Sequence, residues 1–257
     1  MAFTKQEQGH ILHSLLFLGE QLLGAGAEIA RVEETMERIG LAYGAERMDV
    51  FVITSSIVVT AEFPDTHPLT ETRRIRSGGG NDFTRLERLN ELSRRCCAEP
   101  MPPEAFDAEL LAISACSTPF SRVVLGGVLA AGGFAVFFGG TLADAAVAAV
   151  FAVVICYLQR FLGGTQLNTV ASNLLVSLLV GTMVGVVCHI FYRLHMDAIL
   201  IGDIMLLIPG IAMTNAVQNI LLGNTISGIM RLTETLIWAA ALAGGFMVSL
   251  WFTNIML

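Results

Sequence analysis

A long apolar run in the second half of the chain is broken by proline and glycine and then carries amide side chains. The run covers residues 198–231, and the break lies at Pro209 and Gly210. Proline removes a backbone donor and glycine lets the backbone turn, so hydrogen-bonding groups are freed there. Within a membrane such groups need partners from protein, water or a bound solute. The break therefore predicts a small-solute site, and the alternative is a packing kink, because proline and glycine are common in membrane helices.

The residues around and after the break could supply the side chains of this site. A helix that starts there would point its partial positive charge at a bound anion. Asparagine both donates and accepts hydrogen bonds, and arginine can hold a carboxylate with two parallel bonds. We therefore predict a substrate-binding set on the broken run, with one further amide at the start of an earlier span: Pro209, Gly210, Thr214, Asn215, Asn219, Arg231 and Asn168.

Ionisable residues inside apolar segments form a second group of candidates. Charged groups are costly in hydrocarbon, so each is a functional hypothesis by default. We predict coupling or gating roles for Asp144, Asp203 and, in the N-terminal half, Glu28. The alternative for Asp144 and Arg231 is a place at the membrane interface, where the side chain reaches water.

Charge divides the chain into two chemically different halves. Residues 1–116 hold 11 of the 15 Lys and Arg residues and 18 of the 22 acidic residues. Residues 117–257 hold four of each. This division predicts an N-terminal domain large enough for its own core, followed by an integral membrane region.

Periodicity in the first half predicts an α+β domain over residues 1–116. Helices are expected over 11–23 and 28–43, from apolar residues at helical spacing. A β-rich stretch is expected over 48–63, a further strand over 70–76, and a helix from Asn81 or Asp82 to about Cys97. A short helix over 104–113 would lead to the membrane.

The second half predicts an α-helical membrane bundle of about five spans, one of them broken at Pro-Gly. The spans are expected near 121–140, 142–161, 167–192, 198–222 and 234–257. Small residues at close spacing, such as Ser177, Gly181 and Gly185, predict close helix packing. The arginine-rich N-terminal domain should be cytoplasmic, which places the C-terminus outside.

Several other patterns are weak signals for chemistry. The stretch Ser77-Gly78-Gly79-Gly80 lacks the Gly-Lys-Ser/Thr and the βαβ frame of a phosphate loop. The basic residues, among them Arg73 and Arg76, fit a solvated or headgroup-facing surface better than a nucleic-acid site. His10 and His13 share a helix face without a third ligand, and the five cysteines show no metal or disulfide spacing. We predict no cofactor, no metal and no nucleic-acid partner.

Short motifs follow one another in order over nearly the whole chain. They are Gly26-Ala27-Glu28, Val32-Glu33-Glu34, Ile57-Val58-Val59-Thr60, Thr72-Arg73, Pro119, Gly139-Gly140 with Asp144, Gln166-Leu167-Asn168, Leu206-Leu207-Ile208-Pro209-Gly210, Asn215-Ala216-Val217, Gly223, Gly228 and Arg231. This ordered set resembles the threonine/serine exporter family. The resemblance is closest to its two-component branch, whose long subunit resembles the large subunit of a bacterial succinate exporter. Asn219 departs from an aspartate that is usual in the family, and Asp203 from a small or apolar residue.

The resemblance implies export of small carboxylates or amino acids, such as succinate, threonine or serine, across a bacterial inner membrane. It also implies a second, shorter membrane subunit that completes the transporter. Association with further copies of this chain is left open.

Two other functions compete with export. A membrane-tethered hydrolase could use Glu28, Glu33 or the loop Thr54-Ser55-Ser56, although no Ser/His/Asp spacing is recognisable. A ligand-sensing N-terminal domain could instead gate a membrane partner, and this is compatible with export.

Overall fold

A computed structural model describes residues 4–64, 66–75, 80–116, 118–165 and 167–256. Asp65, Arg76, most of the glycine-rich loop (Ser77 to Gly79) and Gln166 lie outside the described residues. The chain forms two compact units. The N-terminal unit comprises Met1–Thr118 with Thr214–Arg231, and the bundle unit comprises Pro119–Met213 with Leu232–Leu257.

Four helices provide most of the core of the N-terminal unit: α1 (Lys5–Gly24), α2 (Ile29–Ala42), α3 (Phe83–Ala98) and α4 (Pro103–Ala115). Helix α1 begins at a capping box, in which Thr4 and Glu7 satisfy each other's backbone N–H groups. Helix α3 begins at Asp82, whose side chain accepts from the Arg85 N–H. Apolar residues at helical spacing on α1 and α2, including Leu15, Val32 and Met36, are completely buried, as their periodicity predicts.

The predicted β-rich stretch forms two strands, and a third strand follows. Strands β1 (Arg47–Ile53), β2 (Ser56–Glu62) and β3 (Leu69–Arg74) make an antiparallel sheet in the order β1-β2-β3. Burial alternates along β2, where Ile57, Val59 and Ala61 face the core. The sheet thus covers the helices with one apolar face.

Side-chain bonds tie the sheet and helix α4 to the first two helices. Glu33 Oε1 of α2 accepts from the backbone N–H of Val52 in β1 at 3.0 Å. Arg73 Nε of β3 donates to Glu20 Oε2 of α1 at 2.5 Å. Asp107 of α4 pairs with His10 and accepts from the hydroxyl of Ser14, both on α1.

The bundle unit is built from α5 (Phe120–Phe137), α6 (Leu142–Gly163), α7 (Thr169–Ile190), α8 (Met196–Leu207) and part of α10 (Thr225–Met256). The first residues of α9 (Gly210–Leu221) also belong to it. Among the described residues, four helices are long and apolar enough to cross a membrane, or five if the bent pair α8 and α9 is one span. The prediction of about five spans with one broken at Pro-Gly agrees with this count. The helix of the predicted fifth span begins before residue 234, because α10 starts at Thr225.

Small residues allow α7 and α10 to approach closely. An added Cβ at Gly181 would lie 2.1 Å from Ser249 Oγ, and one at Gly185 would lie 2.7 Å from Thr253 Oγ1. A Cβ at Gly245 would lie 1.9 Å from Ser177 Oγ. The predicted stripe on α7 therefore meets a matching stripe on α10, an arrangement in which backbone proximity replaces side-chain bulk.

Adjacent glycines in α10 offer a matched test of this packing. Gly245→Ala would also bring its Cβ to 2.7 Å from the Leu174 carbonyl oxygen, whereas a Cβ at Gly244 meets nothing within 4 Å. We expect Gly245→Ala to destabilise the bundle by about 1–3 kcal/mol, as overpacking does. Gly244→Ala should be neutral or stabilising by up to about 1 kcal/mol, because alanine favours helix. Thermal unfolding in detergent measures both, and equal melting temperatures for the two variants would contradict the close contact.

A second test concerns the carboxyl group of Glu33. Burial raises its pKa, and the hydrogen bond from Val52 opposes that shift. Its contribution to stability is therefore full below the unfolded pKa and is lost as pH rises through the raised pKa. Glu33→Gln cannot ionise and keeps an acceptor for Val52, so it should gain stability relative to the wild type as pH rises above the ordinary glutamate pKa of about 4.3. Hydrogen exchange of the Val52 amide in the full chain measures this.

The exposed Glu37 lies on the same helix and supplies the control. Glu37→Gln should follow the wild-type pH dependence. If Glu33→Gln also follows it, the buried carboxyl does not titrate as described.

Candidate functional site

Pro209 ends one helix and starts the next. Ile208 leaves the helical region with φ −64° and ψ 127°, as expected for a residue that precedes proline. The Ile208 N–H still bonds to the Ile204 carbonyl at 3.0 Å, and the Gly210 N–H bonds to the Ile208 carbonyl at 2.8 Å. Helix α9 then resumes with a bond from the Met213 N–H to the Pro209 carbonyl at 3.0 Å. The axes of α8 and α9 differ by 54°. The run is therefore bent sharply at the predicted place.

Helix α9 carries two amides on one face. Asn215 and Asn219 are four residues apart, which places them one above the other on a helix. Asn215 is half-buried, Asn219 is 5% exposed, and Thr214 is exposed. The side-chain oxygen of Asn219 has no hydrogen-bond partner among the described residues. A buried acceptor without a partner is uncommon and expensive, so this oxygen is available to a ligand or to water.

A tight turn folds the start of α10 back onto α9. Gly223 adopts φ +91°, and the Asn224 N–H bonds to the Asn219 carbonyl at 2.9 Å, which is a glycine-based helix end. A Cβ at Gly228 would lie 2.5 Å from Ile220 Cγ1 and 2.9 Å from the Ala216 carbonyl oxygen. Glycine at 223 and 228 thus permits the close hairpin. Arg231 lies half-buried in α10, three residues beyond Gly228.

Asp203 lies in α8 and is completely buried. Neither of its carboxyl oxygens has a hydrogen-bond partner in the part of the chain that the structure describes. Asp144, the other charged site residue predicted in the bundle unit, is bonded to Thr141 and His195.

Asp144 is held by local bonds at the start of α6. Its Oδ2 accepts from the Thr141 N–H and hydroxyl, each at 2.7 Å, and Thr141 caps the Asp144 N–H in return. Oδ1 accepts from the His195 N–H at 2.8 Å, and His195 Nδ1 lies 2.9 Å from Oδ2. This fully buried carboxylate therefore joins the starts of α6 and α8. His195 was not predicted, although Thr141-x-x-Asp144 carries the spacing of a capping box.

Two other predicted residues occupy helix starts. Asn168 Oδ1 accepts from the Ala171 N–H at 2.8 Å and caps α7. Glu28 is the residue before α2, without a side-chain capping bond, and its carbonyl accepts from the Val32 N–H at 3.1 Å. Asn168 is of a residue type preferred at this position, whereas Glu28 is not. Within the N-terminal unit the structure groups Thr214, Asn215, Asn219 and Arg231 on one hairpin, and Glu28 lies on a different element of that unit.

The residues considered for hydrolysis have local bonding roles. Glu33 bonds to the backbone of β1, and Thr54 and Ser55 form the turn between β1 and β2. The one Ser, His and Asp constellation found among the described residues, Ser14 with His10 and Asp107, was not predicted. In it the serine hydroxyl donates to Asp107 and to the His10 carbonyl, so the imidazole is not placed to activate the serine.

Comparison with known proteins points to transport. The family model for threonine/serine exporters matches residues 13–253. The "Probable threonine/serine exporter" of Mycobacterium tuberculosis (strain ATCC 25618 / H37Rv) is 25% identical over 247 residues. That alignment covers 93% of this chain and 46% of the mycobacterial protein, so the chain spans about half the length of this relative. No solved structure matches the chain significantly.

The family match covers most of the chain and agrees with the apolar helices, which make it a multi-pass membrane protein. The family points to a transporter rather than an enzyme. The resemblance seen in the motifs is confirmed at this level: the chain belongs to the threonine/serine exporter family.

Proposed function

We propose that this chain is the longer subunit of a secondary transporter that exports small amino acids or carboxylates across the bacterial inner membrane. Family membership supports threonine and serine, and the resemblance to a succinate exporter subunit adds succinate. The observation that carries the proposal is the sharp break at Pro209 with the amides of α9 behind it.

The break suits a small polar solute because it provides backbone and side-chain groups at one level. Helix ends have carbonyl and N–H groups without intrahelical partners, and the start of α9 has partial positive charge. Asn215 lies about 7.5 Å along the helix from Gly210, from the rise of 1.5 Å per residue. A four-carbon dicarboxylate or a small amino acid is of comparable length. One end of the solute can therefore meet the start of α9 while the other reaches Asn215.

Arg231 supplies the positive charge that a carboxylate requires. The bundle and the hairpin together contain four arginines, Arg122, Arg160, Arg193 and Arg231, and Arg231 belongs to the same hairpin as the amides. A planar guanidinium can bind a carboxylate with two parallel hydrogen bonds. The buried side-chain oxygen of Asn219, which has no partner among the described residues, offers an acceptor for a solute hydroxyl or ammonium group.

A second, shorter membrane subunit would complete the transporter. Transporters of this general design pair two membrane repeats around a central site, and five spans with one broken helix supply one of them. Purified chain alone should therefore give no flux of labelled threonine, serine or succinate. Full flux without any partner would refute the two-subunit proposal.

Substitutions in the hairpin test the site. Arg231→Ala should lower export about tenfold or more, because a charge-assisted hydrogen bond is lost. Arg231→Lys should rescue only partly, since lysine keeps the charge and loses the planar fork. Asn215→Ala should raise the concentration for half-maximal flux about fivefold, as loss of one neutral hydrogen bond would. Flux of labelled threonine, serine and succinate from preloaded cells is the measurement.

The exposed Arg193 provides a control for charge alone. Arg193→Ala should export like the wild type at matched membrane abundance. Pro209→Ala should slow flux without changing abundance, because it restores a donor to the helix and reduces the break. Parent rates and affinities for both Arg231→Ala and Asn215→Ala would show that the break is a packing kink.

Orientation gives a separate prediction. The arginine-rich N-terminal domain should face the cytoplasm, and five spans would then place the C-terminus outside. In a variant with the five native cysteines replaced, Leu257→Cys should react with an impermeant maleimide in intact cells. Glu46→Cys, at an exposed position of the N-terminal unit, should react only after permeabilisation. If both need permeabilisation, the bent pair α8 and α9 does not cross the membrane.

A further inference from the structure

Asp203 is a carboxyl group inside the apolar bundle that no described residue satisfies. Its side chain is 0% exposed, and both oxygens are without hydrogen-bond partners among the described residues. No ion pair in that part of the chain involves it, whereas the buried Asp144 is bonded to Thr141 and His195. Burial alone therefore does not explain why Asp203 lacks hydrogen-bond partners among the described residues. Asp144, in the same unit, is also buried and has its carboxylate oxygens hydrogen-bonded.

The surroundings of Asp203 are apolar. Residues three and four positions away share its helix face, and Ile199, Leu200 and Leu207 all belong to the apolar core of the bundle. The neighbouring Gly202 lies so close to α5 that an added Cβ would be 2.6 Å from the Ala131 carbonyl oxygen. Asp203 thus lies in α8 beside a tight contact between two apolar helices.

The titratable groups on α8 and on the helices that pack against it do not form ion pairs with Asp203 in the described residues. On α5 and α6, Arg122 is exposed, the Arg160 guanidinium stacks on the Phe120 ring at 4.5 Å, Asp144 is bonded as described, and Cys156 is a buried thiol. On α7, His189 is exposed and Cys188 is a half-buried thiol. Asp197, on α8 itself, is exposed. None of these groups forms an ion pair with Asp203 in the described residues.

A proton is the partner that this site suits. A metal cation would require several oxygen ligands arranged around it, and the described residues contain no group of three or more His, Cys, Asp or Glu side chains that could hold one. An unpaired ionised carboxylate is costly in an apolar interior, and binding a proton removes that cost. The neutral acid needs no counter-ion.

We infer that Asp203 is a reversible proton-binding site in the middle of the bundle, through which export is coupled to the proton gradient. The coupling rests on the function proposed above, whereas the proton binding does not. In each cycle a carboxylate oxygen of Asp203 takes one proton from the outer side and releases it to the inner side. One solute molecule moves outward in exchange, and no other bond forms or breaks.

Infrared spectroscopy tests the proton directly. The purified full chain in lipid nanodiscs should show the C=O band of a protonated carboxylic acid at neutral pH, where exposed carboxylates are ionised. Asp203→Asn should abolish that band, and Asp203→Glu should shift it. Asp197→Asn, which changes an exposed acid on the same helix, should leave it unchanged. A wild-type spectrum without the band, or a band that survives in Asp203→Asn, would overturn the assignment.

Transport tests the coupling. In inverted vesicles that contain the complete transporter, an acid-inside pH gradient should drive accumulation of labelled threonine by the wild type and by Asp197→Asn. Asp203→Asn should lose this accumulation and keep threonine exchange across the membrane. Wild-type accumulation by Asp203→Asn, or loss of exchange together with accumulation, would overturn the coupling role. A wild type that carries neither threonine, serine nor succinate would reject the proposed function, and the infrared band would still decide whether Asp203 binds a proton.

Discussion

The missing donor of Pro209 is the constraint on which the arrangement of the polar groups depends. In an apolar segment every backbone group needs a partner within the protein, so one residue without an N–H forces the chain to rearrange over several positions. The chain responds with an extended Ile208, a short bond from Gly210 and a 54° change of direction. Asn215 and Asn219 therefore lie on a helix that begins anew at Gly210. A continuous helix would carry the same amides and offer them no helix end.

Close backbone contacts hold the elements around this break. Gly228 allows α10 to lie against Ala216 and Ile220, and Gly202 allows α8 to lie against α5. Such contacts favour small residues because association in lipid relies on packing and not on the exclusion of water. Elsewhere in the bundle, Ser177, Ser249 and Thr253 bond to carbonyls of their own helices, so these hydroxyls cost little where they are buried.

The secondary structure and the break could be predicted because they depend on residues that are close in sequence. Contacts between residues far apart in sequence could not be predicted. Alternating residues predict the strands, and Pro209 predicts the bend, because both effects arise within a few residues. Hydropathy identifies the apolar part of a helix, while Thr225 to Arg231 form a helix that packs on α9. The bond between Asp144 and His195 joins residues 51 positions apart, and no sequence period announces it. The lack of a hydrogen-bond partner for Asp203 among the described residues is also a property of the tertiary structure, because it depends on which side chains the folded bundle places nearby.

The polar residues of the membrane half fall into two classes according to how their bonding capacity is used. Asn168 and Asp144 form hydrogen bonds at helix N-termini. Either residue could bind a solute only by breaking hydrogen bonds that stabilise the fold. The side-chain oxygens of Asn219 and Asp203 have no hydrogen-bond partner among the described residues. Each unsatisfied neutral group costs about 1–3 kcal/mol. We expect such a free-energy cost to be offset by a function of the group. A bound solute or proton would satisfy the group without breaking an existing hydrogen bond. A transporter must release what it binds, so the folded protein must stay stable when the site is empty. A small number of buried, unsatisfied groups meets this condition because their total free-energy cost is small.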